Sequence, residues 1–144
     1  MTAPDDKDLF SPARPPVVLF CDDAPSIRLM LRNALRHGGC ESIEADNGRA
    51  ALEILARGQQ VDLLLTDLHM PGVDGLELVR QVRALPHRRY MPIVMLTTET
   101  KTQRVREGAE AGLTAWIVKP FVASDLLAVV TKALGRRASP RAAR

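Results

Sequence analysis

Apolar residues follow two alternating patterns along the chain from Val17 onward. Five short apolar runs have the length of β-strands, and the longer stretches between them have helical spacing. The runs cover residues 17–21, 42–45, 61–66, 92–97 and 115–118. Short connections between alternating strands and helices favour a parallel sheet, because each right-handed crossover lays a helix on one sheet face. The pattern therefore predicts a doubly wound α/β fold with five strands and five helices.

The helical stretches each show an apolar face. These faces are Ile27, Met30, Leu31, Ala34 and Leu35; Leu52 and Leu55; Leu76, Val79 and Val82; Val105 and Ala109; and Leu126, Leu127, Val130 and Leu134. The strand runs VVLFC, DLLLT and IVMLT are apolar without alternation, which is typical of strands covered on both sides. We expect these three runs to lie in the interior of the sheet.

Length and composition indicate a single domain with short flanking segments. The chain has 144 residues, of which 46% are hydrophobic, enough for one core. Residues 1–16 hold four prolines and little apolar periodicity, so we expect a flexible leader there. Residues 17–134 form the predicted domain. Residues 135–144 carry four arginines and no acid, which predicts a solvated basic tail.

Charge and cysteine usage exclude several classes of protein. The 20 basic and 17 acidic residues give a formal charge of +3, unlike an acidic disordered segment or a strongly basic nucleic-acid binder. Cys21 and Cys40 form neither a disulfide framework nor a metal-binding spacing. The N-terminus lacks the basic and apolar stretches of a signal peptide, and no apolar run approaches the length of a membrane span. We expect a cytoplasmic protein without membrane insertion or a nucleic-acid partner.

Candidate chemistry lies directly after the strand runs. The first run is followed by Asp22 and Asp23, the third by Asp67, and the fourth and fifth end near Thr97 and Lys119. In doubly wound sheets, ligands bind at the carboxyl ends of the strands. Three carboxylates brought together repel one another unless a cation neutralises them. Carboxylate and carbonyl oxygens without a Cys or His cluster favour Mg²⁺ over zinc.

Lys119 and Thr97 add a compact positive charge and a hydroxyl donor to this edge. These are groups that hold the oxygens of a phosphoryl group. The residue types therefore indicate a site for Mg²⁺ and a phosphoryl group.

Several motifs stand in one register along the chain. They are the acidic pair Asp22-Asp23, Asp67 with the loop LHMPGVDG, Thr97, and Lys119-Pro120-Phe121. With these motifs, residues 17–134 resemble a response-regulator receiver domain, and more narrowly the single-domain CheY type. The resemblance implies a flavodoxin-like sheet with strand order 2-1-3-4-5.

The same resemblance implies a role for each site residue. Asp67 would be the phosphoacceptor, taking a phosphoryl group from the phosphohistidine of a histidine kinase. Asp23, Asp67 and the backbone carbonyl of His69 would ligate Mg²⁺, and Asp22 would reach the ion through a water. Lys119 would contact the acceptor carboxylate and later the phosphoryl oxygens.

Further residues are implicated in switching and in the lifetime of the phosphorylated form. Thr97 would move to hydrogen-bond the phosphoryl group, and Trp116 occupies the place of the family's aromatic switch, which is more often Tyr or Phe. His69 and Glu99 occupy variable positions that tune the lifetime of the phosphoryl group in the family.

The predicted function is a stand-alone response regulator of the chemotaxis or phosphorelay type. Only ten residues follow Leu134, too few for an output domain, so the signal is expected to leave by protein contact. The expected partners are a histidine kinase or phosphotransfer protein and a target on the face formed by the fourth helix, fifth strand and fifth helix. We expect no enzyme activity beyond Mg²⁺-dependent self-phosphorylation and autodephosphorylation.

Two other functions fit parts of the sequence. A phosphate sink would drain a kinase without binding an output partner. A phosphohydrolase of the haloacid-dehalogenase type would also form an aspartyl phosphate, but such enzymes usually carry a D-x-D pair, whereas this chain has Asp67-Leu68-His69.

Ordinary structural roles are also open for these residues. Asp22 and Asp23 before Pro25 fit a helix N-cap, and Asp74 fits the cap of the helix that begins near Leu76. Trp116 fits a core or sheet-edge residue. The bond before Pro120 has the sequence required for a cis peptide.

Overall fold

The computed structural model describes residues 14–98 and 102–138, which form a parallel sheet flanked by helices. In chain order the elements are β1 Val17–Cys21, α1 Pro25–His37, β2 Glu41–Ala45, α2 Gly48–Ala56, β3 Leu63–Thr66, α3 Gly75–Arg83, a 3₁₀ turn Pro86–Arg88, β4 Ile93–Thr97, α4 Thr102–Ala111, β5 Ala115–Val118 and α5 Ala123–Ala138. The five strands lie in the order β2-β1-β3-β4-β5. The predicted fold class and strand order are confirmed.

Apolar layers cover both faces of the sheet, because successive side chains of a strand point to opposite sides. Leu19, Leu64 and Met95 belong to the layer beneath α2 and α3, together with side chains such as Leu55 and Val79. The other layer lies beneath α1 and α5. Its members include Phe20, Leu65, Leu96, Leu31, Leu35 and Val130.

The three interior strands are the ones that the uninterrupted apolar runs predict. Every residue of β1, β3 and β4 is buried. The edge strands β2 and β5 both contain exposed residues, among them Glu44 and Val118. Burial on both sides therefore separates interior strands from edge strands, as the sequence pattern indicates.

Side-chain caps mark the starts of α2 and α3. Asn47 accepts a hydrogen bond from the backbone N–H of Ala50 at 2.8 Å, and Asp74 accepts one from Glu77 at 2.9 Å. The cap predicted for Asp74 is confirmed. Helix α1 follows Ala24 without a side-chain cap, so the capping role considered for the Asp22-Asp23 pair is wrong.

Three predicted strand boundaries and two predicted helix faces differ from the structure. Strand β2 begins at residue 41 rather than residue 42, and strands β3 and β4 begin at residues 63 and 93 rather than at residues 61 and 92. Met30 of α1 and Val105 of α4 are each 38% exposed, and Ala109 is exposed as well. On α4 it is Gly108 that is buried, and a residue without a side chain gives no signal in a hydrophobic pattern.

Buried charged side chains brace the amino edge of the sheet, where the strands begin. Asp62 accepts hydrogen bonds from the backbone N–H of Val17 at 2.8 Å, Arg14 Nη1 at 3.1 Å and Gln60 Nε2 at 3.0 Å. The nearby guanidinium of Arg88 is buried as well. It donates to the carbonyls of Leu55 and Val61, both at 3.3 Å, and to that of Gln59.

Among the described residues, no helix combines the length and the apolar character that a membrane span requires.

Candidate functional site at the carboxyl edge of the sheet

Three carboxylates converge where β1 and β3 end. Asp22 and Asp23 follow β1, Asp67 follows β3, and these strands are neighbours in the sheet. Each of the three side chains places a carboxylate oxygen within 4.8 Å of the others. Asp22 and Asp67 are buried, whereas Asp23 is exposed. The fold thus brings together the three acidic residues that the sequence predicts to form a site.

Asp22 is fixed by hydrogen bonds to both carboxylate oxygens. Its Oδ1 accepts from the backbone N–H of Ala24 at 2.9 Å, and its Oδ2 accepts from Lys119 Nζ at 2.8 Å. Its backbone carbonyl accepts from Arg28 Nη1 at 2.8 Å. The side chain is therefore held in place before any ligand binds.

Asp67 lies beside the same lysine. Its Oδ1 accepts a hydrogen bond from the backbone N–H of Leu68 at 2.7 Å, and its Oδ2 lies 3.4 Å from Lys119 Nζ. The loop that follows folds back tightly, because a Cβ at Gly75 would lie 2.3 Å from the carbonyl oxygen of Asp67. Glycine at position 75 is thus required by the close approach of the loop to the acidic site.

Lys119 reaches the acids from the end of β5. Its peptide bond to Pro120 is cis, as the sequence allowed. Its backbone N–H donates to the carbonyl of Thr97 at 2.8 Å, which joins the ends of β5 and β4. The lysine side chain is only 14% exposed, and its ammonium lies between Asp22 and Asp67. A role as a freely solvated loop lysine is therefore excluded.

Thr97 and Trp116 lie on the same side of the sheet. Thr97 is buried at the end of β4 and is in register with Val118, while Met95, two residues earlier, is in register with Trp116. Residues two apart on a strand point to the same face. Trp116 is partly buried against the apolar layer under α2 and α3, on edge strand β5. The default expectation of a sheet-edge packing residue is confirmed.

Of the two residues predicted to tune the lifetime of the phosphoryl group, the structure describes one. His69 is exposed in the loop after Asp67. Glu99 lies outside the described residues. The predicted leader and basic tail also fall mainly outside them.

The site carries excess negative charge among the described residues, because three carboxylates cluster together and the ammonium of Lys119 contacts two of them. The thiol of Cys21, which precedes Asp22, shows the effect of this environment. Burial, and next the charge of Asp22, raise the pKa of Cys21 to about 12. The thiol is neutral and lies 3.4 Å from Met70 Sδ, so it is an apolar packing group as predicted.

Sequence reasoning missed one residue that contacts the site. Arg28 donates to the carbonyl of Asp22, and its Nε lies 3.6 Å from Glu44 Oε1 on β2. The nearby Arg32 also pairs with Glu44. No sequence signal marks Arg28, because the contact depends on how α1 packs beside β2.

The donor set fits a hard divalent cation. The clustered ligands are carboxylate oxygens, the type that Mg²⁺ prefers, and the described residues that cluster here include no cysteine or histidine side chain. Asp23 is exposed to solvent and adjacent to the buried pair, so a hydrated ion has access.

A family profile described as the response regulator receiver domain matches residues 18–131. The chemotaxis protein CheY of Pseudomonas aeruginosa is 38% identical over 120 residues, which cover 83% of this chain and 96% of that protein. The structure of chemotaxis response regulator CheY4 of Vibrio cholerae matches with a TM-score of 0.78 and 39% identity, over 83% of this chain and 98% of that one.

A second solved structure bears on the metal. It is the receiver domain of a sensor histidine kinase from Pseudomonas aeruginosa, with a magnesium ion coordinated in the active site cleft. The match has a TM-score of 0.77 and 26% identity, and it covers 84% of this chain and 98% of that domain. None of these similarities favours a phosphate sink or a phosphohydrolase.

Proposed function

The chain belongs to the response regulator receiver family, as a chemotaxis-type member, and we propose that Asp67 is the residue on which it accepts a phosphoryl group. The observation that carries this proposal is the geometry at the carboxyl edge. Asp67 lies among two further carboxylates and 3.4 Å from the ammonium of Lys119, at the end of an interior strand. Phosphoryl transfer needs positioning and charge neutralisation more than covalent help from the protein.

In this reaction a carboxylate oxygen of Asp67 attacks the phosphorus atom of a phosphohistidine. A phosphorus–oxygen bond forms, the phosphorus–nitrogen bond breaks, and the histidine nitrogen takes a proton. The Leu68 N–H fixes the orientation of the acceptor through Oδ1. Lys119 offsets the negative charge on the oxygens of the transferred phosphoryl group, and the hydroxyl of Thr97 donates a hydrogen bond to one of these oxygens.

Mg²⁺ would be held by Asp23, Asp67 and the carbonyl of His69, with Asp22 acting through a water. When bound, the ion supplies charge neutralisation for the phosphoryl oxygens. Both oxygens of Asp22 already accept hydrogen bonds, from Ala24 and Lys119, which supports an indirect role for that residue. The magnesium described in the similar kinase receiver domain supports the choice of metal.

The output is proposed to leave through α4, β5 and α5. Apolar side chains are exposed on or beside each of these elements: Val105 is 38% exposed, Val118 44% and Val122 59%. Movement of Thr97 toward the phosphoryl group would let Trp116 turn inward and alter this face. His69, exposed beside the acceptor, and Glu99 are proposed to set how long the phosphoryl group persists.

The proposed partners are a histidine kinase or phosphotransfer protein that donates the phosphoryl group, and a protein target that reads the α4–β5–α5 face. Both cysteines are free, which fits a reducing cytoplasm. Neither a nucleic-acid partner nor membrane insertion is part of this proposal.

The test is labelling by a small phosphodonor. We expect wild-type protein with acetyl phosphate and Mg²⁺ to gain the mass of one phosphoryl group, and Asp67→Asn to gain none. The matched control is Asp46→Asn, which removes an exposed carboxylate from the β2–α2 connection and should label normally. Undiminished labelling of Asp67→Asn would show that the acceptor lies elsewhere.

A further inference from the structure

Gly108 occupies a position where glycine is unfavourable for the helix. It lies inside helix α4, where glycine is less favourable than alanine because it has more conformational freedom to lose on folding. It is also buried, whereas Val105, Arg106 and Ala109 of the same helix are exposed. A buried glycine within a helix points to something that approaches the backbone closely.

Two side chains approach Gly108 closely, Leu113 and the indole ring of Trp116. A Cβ added at Gly108 would lie 3.3 Å from Cζ3 and 3.6 Å from Cε3 of Trp116, and 3.0 Å from Cδ2 of Leu113. Carbon atoms pack best at about 3.5 to 4.0 Å, so a methyl group here would push against the indole and Leu113. The missing side chain leaves the space that the six-membered ring of the indole uses.

This contact joins α4 to the phosphoryl-binding side of the sheet. Trp116 is in register with Met95, and Thr97 follows on the same face of β4. The indole thus lies between the buried glycine of α4 and the strand that ends in Thr97. The bulk of the Trp116 indole is accommodated by the absence of a side chain at position 108.

We propose that Gly108 is a positioning residue for Trp116, and that the space it leaves sets the balance between the outward and inward positions of the indole. This inference rests on the proposed function, in which Trp116 turns inward when Thr97 contacts the phosphoryl group. In this proposal the described ring position, beside Gly108, is the outward one, and a methyl group at position 108 crowds it.

The direction of the effect follows from population shift. A change that destabilises the outward ring raises the population of the inward state, and a ligand that binds the inward state then binds more tightly. Gly108→Ala should therefore increase the affinity for beryllofluoride, a mimic of the phosphoryl group, in the presence of Mg²⁺. The size of residue 108 thus shifts the equilibrium between the two positions of the Trp116 ring, although helix α4 contacts none of the reacting atoms.

The first measurement needs no phosphoryl mimic. Trp116 is the only tryptophan of the chain, so its fluorescence reports on the ring directly. We expect Gly108→Ala to change the emission maximum and the acrylamide quenching of Trp116 relative to wild type. Ala109→Gly is the control, since it changes helix propensity at an exposed neighbouring position and should leave both signals as they are.

The second measurement is a double-mutant cycle. Calorimetry in the presence of Mg²⁺ measures the affinity of each variant for beryllofluoride. We expect Gly108→Ala to bind about threefold more tightly than wild type, the size of coupling seen between contacting residues. In the Trp116→Tyr background the same change should leave the affinity unaltered, because tyrosine lacks the ring atoms that meet the new methyl group. A merely structural effect of the methyl group would appear equally in both backgrounds.

The outcomes separate this inference from the proposed function. Equal affinity changes with and without Trp116, or an unaltered quenching constant in Gly108→Ala, would overturn the role of Gly108. Failure of wild type to bind beryllofluoride would instead contradict the proposed function, and with it the effect of residue 108 on ligand affinity. Acrylamide quenching of Trp116 would still show whether residue 108 contacts the indole. If Gly108→Ala fails to fold in both backgrounds, Leu113 rather than the indole resists the methyl group and the inference is wrong.

Discussion

At the amino edge of the sheet the carboxylate of Asp62 accepts hydrogen bonds from a backbone amide, a guanidinium and a side-chain amide. At the carboxyl edge, by contrast, three carboxylates cluster together and Lys119 contacts two of them. Both edges bury acidic groups: Asp62 is 3% exposed and Asp22 is fully buried. What differs is the balance of donors and acceptors. At the amino edge, donors from the chain itself satisfy the carboxylate of Asp62. The carboxyl edge holds more negative charge than Lys119 neutralises.

This difference separates a stabilising charge from a functional one. A buried carboxylate with partners is costly to disrupt, because its donors are left unpaired when it is removed. Carboxylates held close together repel, and the protein tolerates this where a cation can bind. The two edges therefore predict opposite responses to the loss of an acidic side chain, and the following changes test that contrast.

The largest effect is expected at the amino edge. Asp62→Ala should lower the free energy of unfolding by about 3 kcal/mol, because it leaves the Val17 amide and other donors without their acceptor. Arg14→Ala should cost less than about 1 kcal/mol, since half of its side chain is exposed and solvent screens the pair. Urea denaturation followed by circular dichroism measures both. Equal losses would mean that the ion pair, rather than the buried acceptor, carries the stability.

Metal binding should stabilise the carboxyl edge by a similar amount. At one hundred times its dissociation constant, Mg²⁺ is expected to raise the free energy of unfolding of wild type by about 2.7 kcal/mol. Removal of the ion with a chelator should reverse the gain. Asp23→Ala should lose most of it, because that exposed carboxylate is a proposed ligand. An undiminished gain in Asp23→Ala would place the ion elsewhere.

A smaller effect of opposite sign is expected for Asp67→Asn without metal. The amide keeps an oxygen for the Leu68 N–H but removes one of the clustered charges. We expect this variant to be more stable than wild type by about 1 kcal/mol in chelator, and to lose that advantage in Mg²⁺. A clear loss of stability in metal-free melts would show that Asp67 is a structural residue like Asp62.

The smallest effect concerns thiol labelling. Cys21 at the carboxyl edge is fully buried with a pKa raised to about 12, whereas Cys40, before β2, is half-buried. Since the thiolate is the reactive form, a Cys40→Ser variant should be alkylated roughly tenfold more slowly at neutral pH than a Cys21→Ser variant. Faster labelling of Cys21 would mean that the acidic edge opens readily to solvent.

The sequence predicted the carboxyl edge better than the amino edge. The carboxyl ends of parallel strands lie along one edge of the sheet, so Asp22, Asp67 and Lys119 could be grouped from their positions after the strand runs, and the family resemblance supplied the strand order. The interior strands were also clear, because apolar runs without alternation indicate burial on both faces.

The missed features depend on packing between elements. Asp62 was included in a predicted strand, and only the structure shows its contact with the start of β1. Arg28 reaches Asp22 because α1 lies beside β2. The packed face of α4 was predicted from Val105 and Ala109, which are exposed, since Gly108 contributes no hydrophobic side chain. Local patterns report burial, but they do not report which distant group a side chain meets.

We propose that a phosphoryl group at Asp67 alters the protein surface through Thr97 and Trp116. Fluorescence of Trp116, the sole tryptophan, tests it directly when beryllofluoride is added with Mg²⁺. We predict a clear change in wild type and a much smaller one in Thr97→Ala, although calorimetry should show that this variant still binds the mimic. Equal fluorescence changes in the two proteins would contradict the coupling and leave Trp116 as an ordinary packing residue.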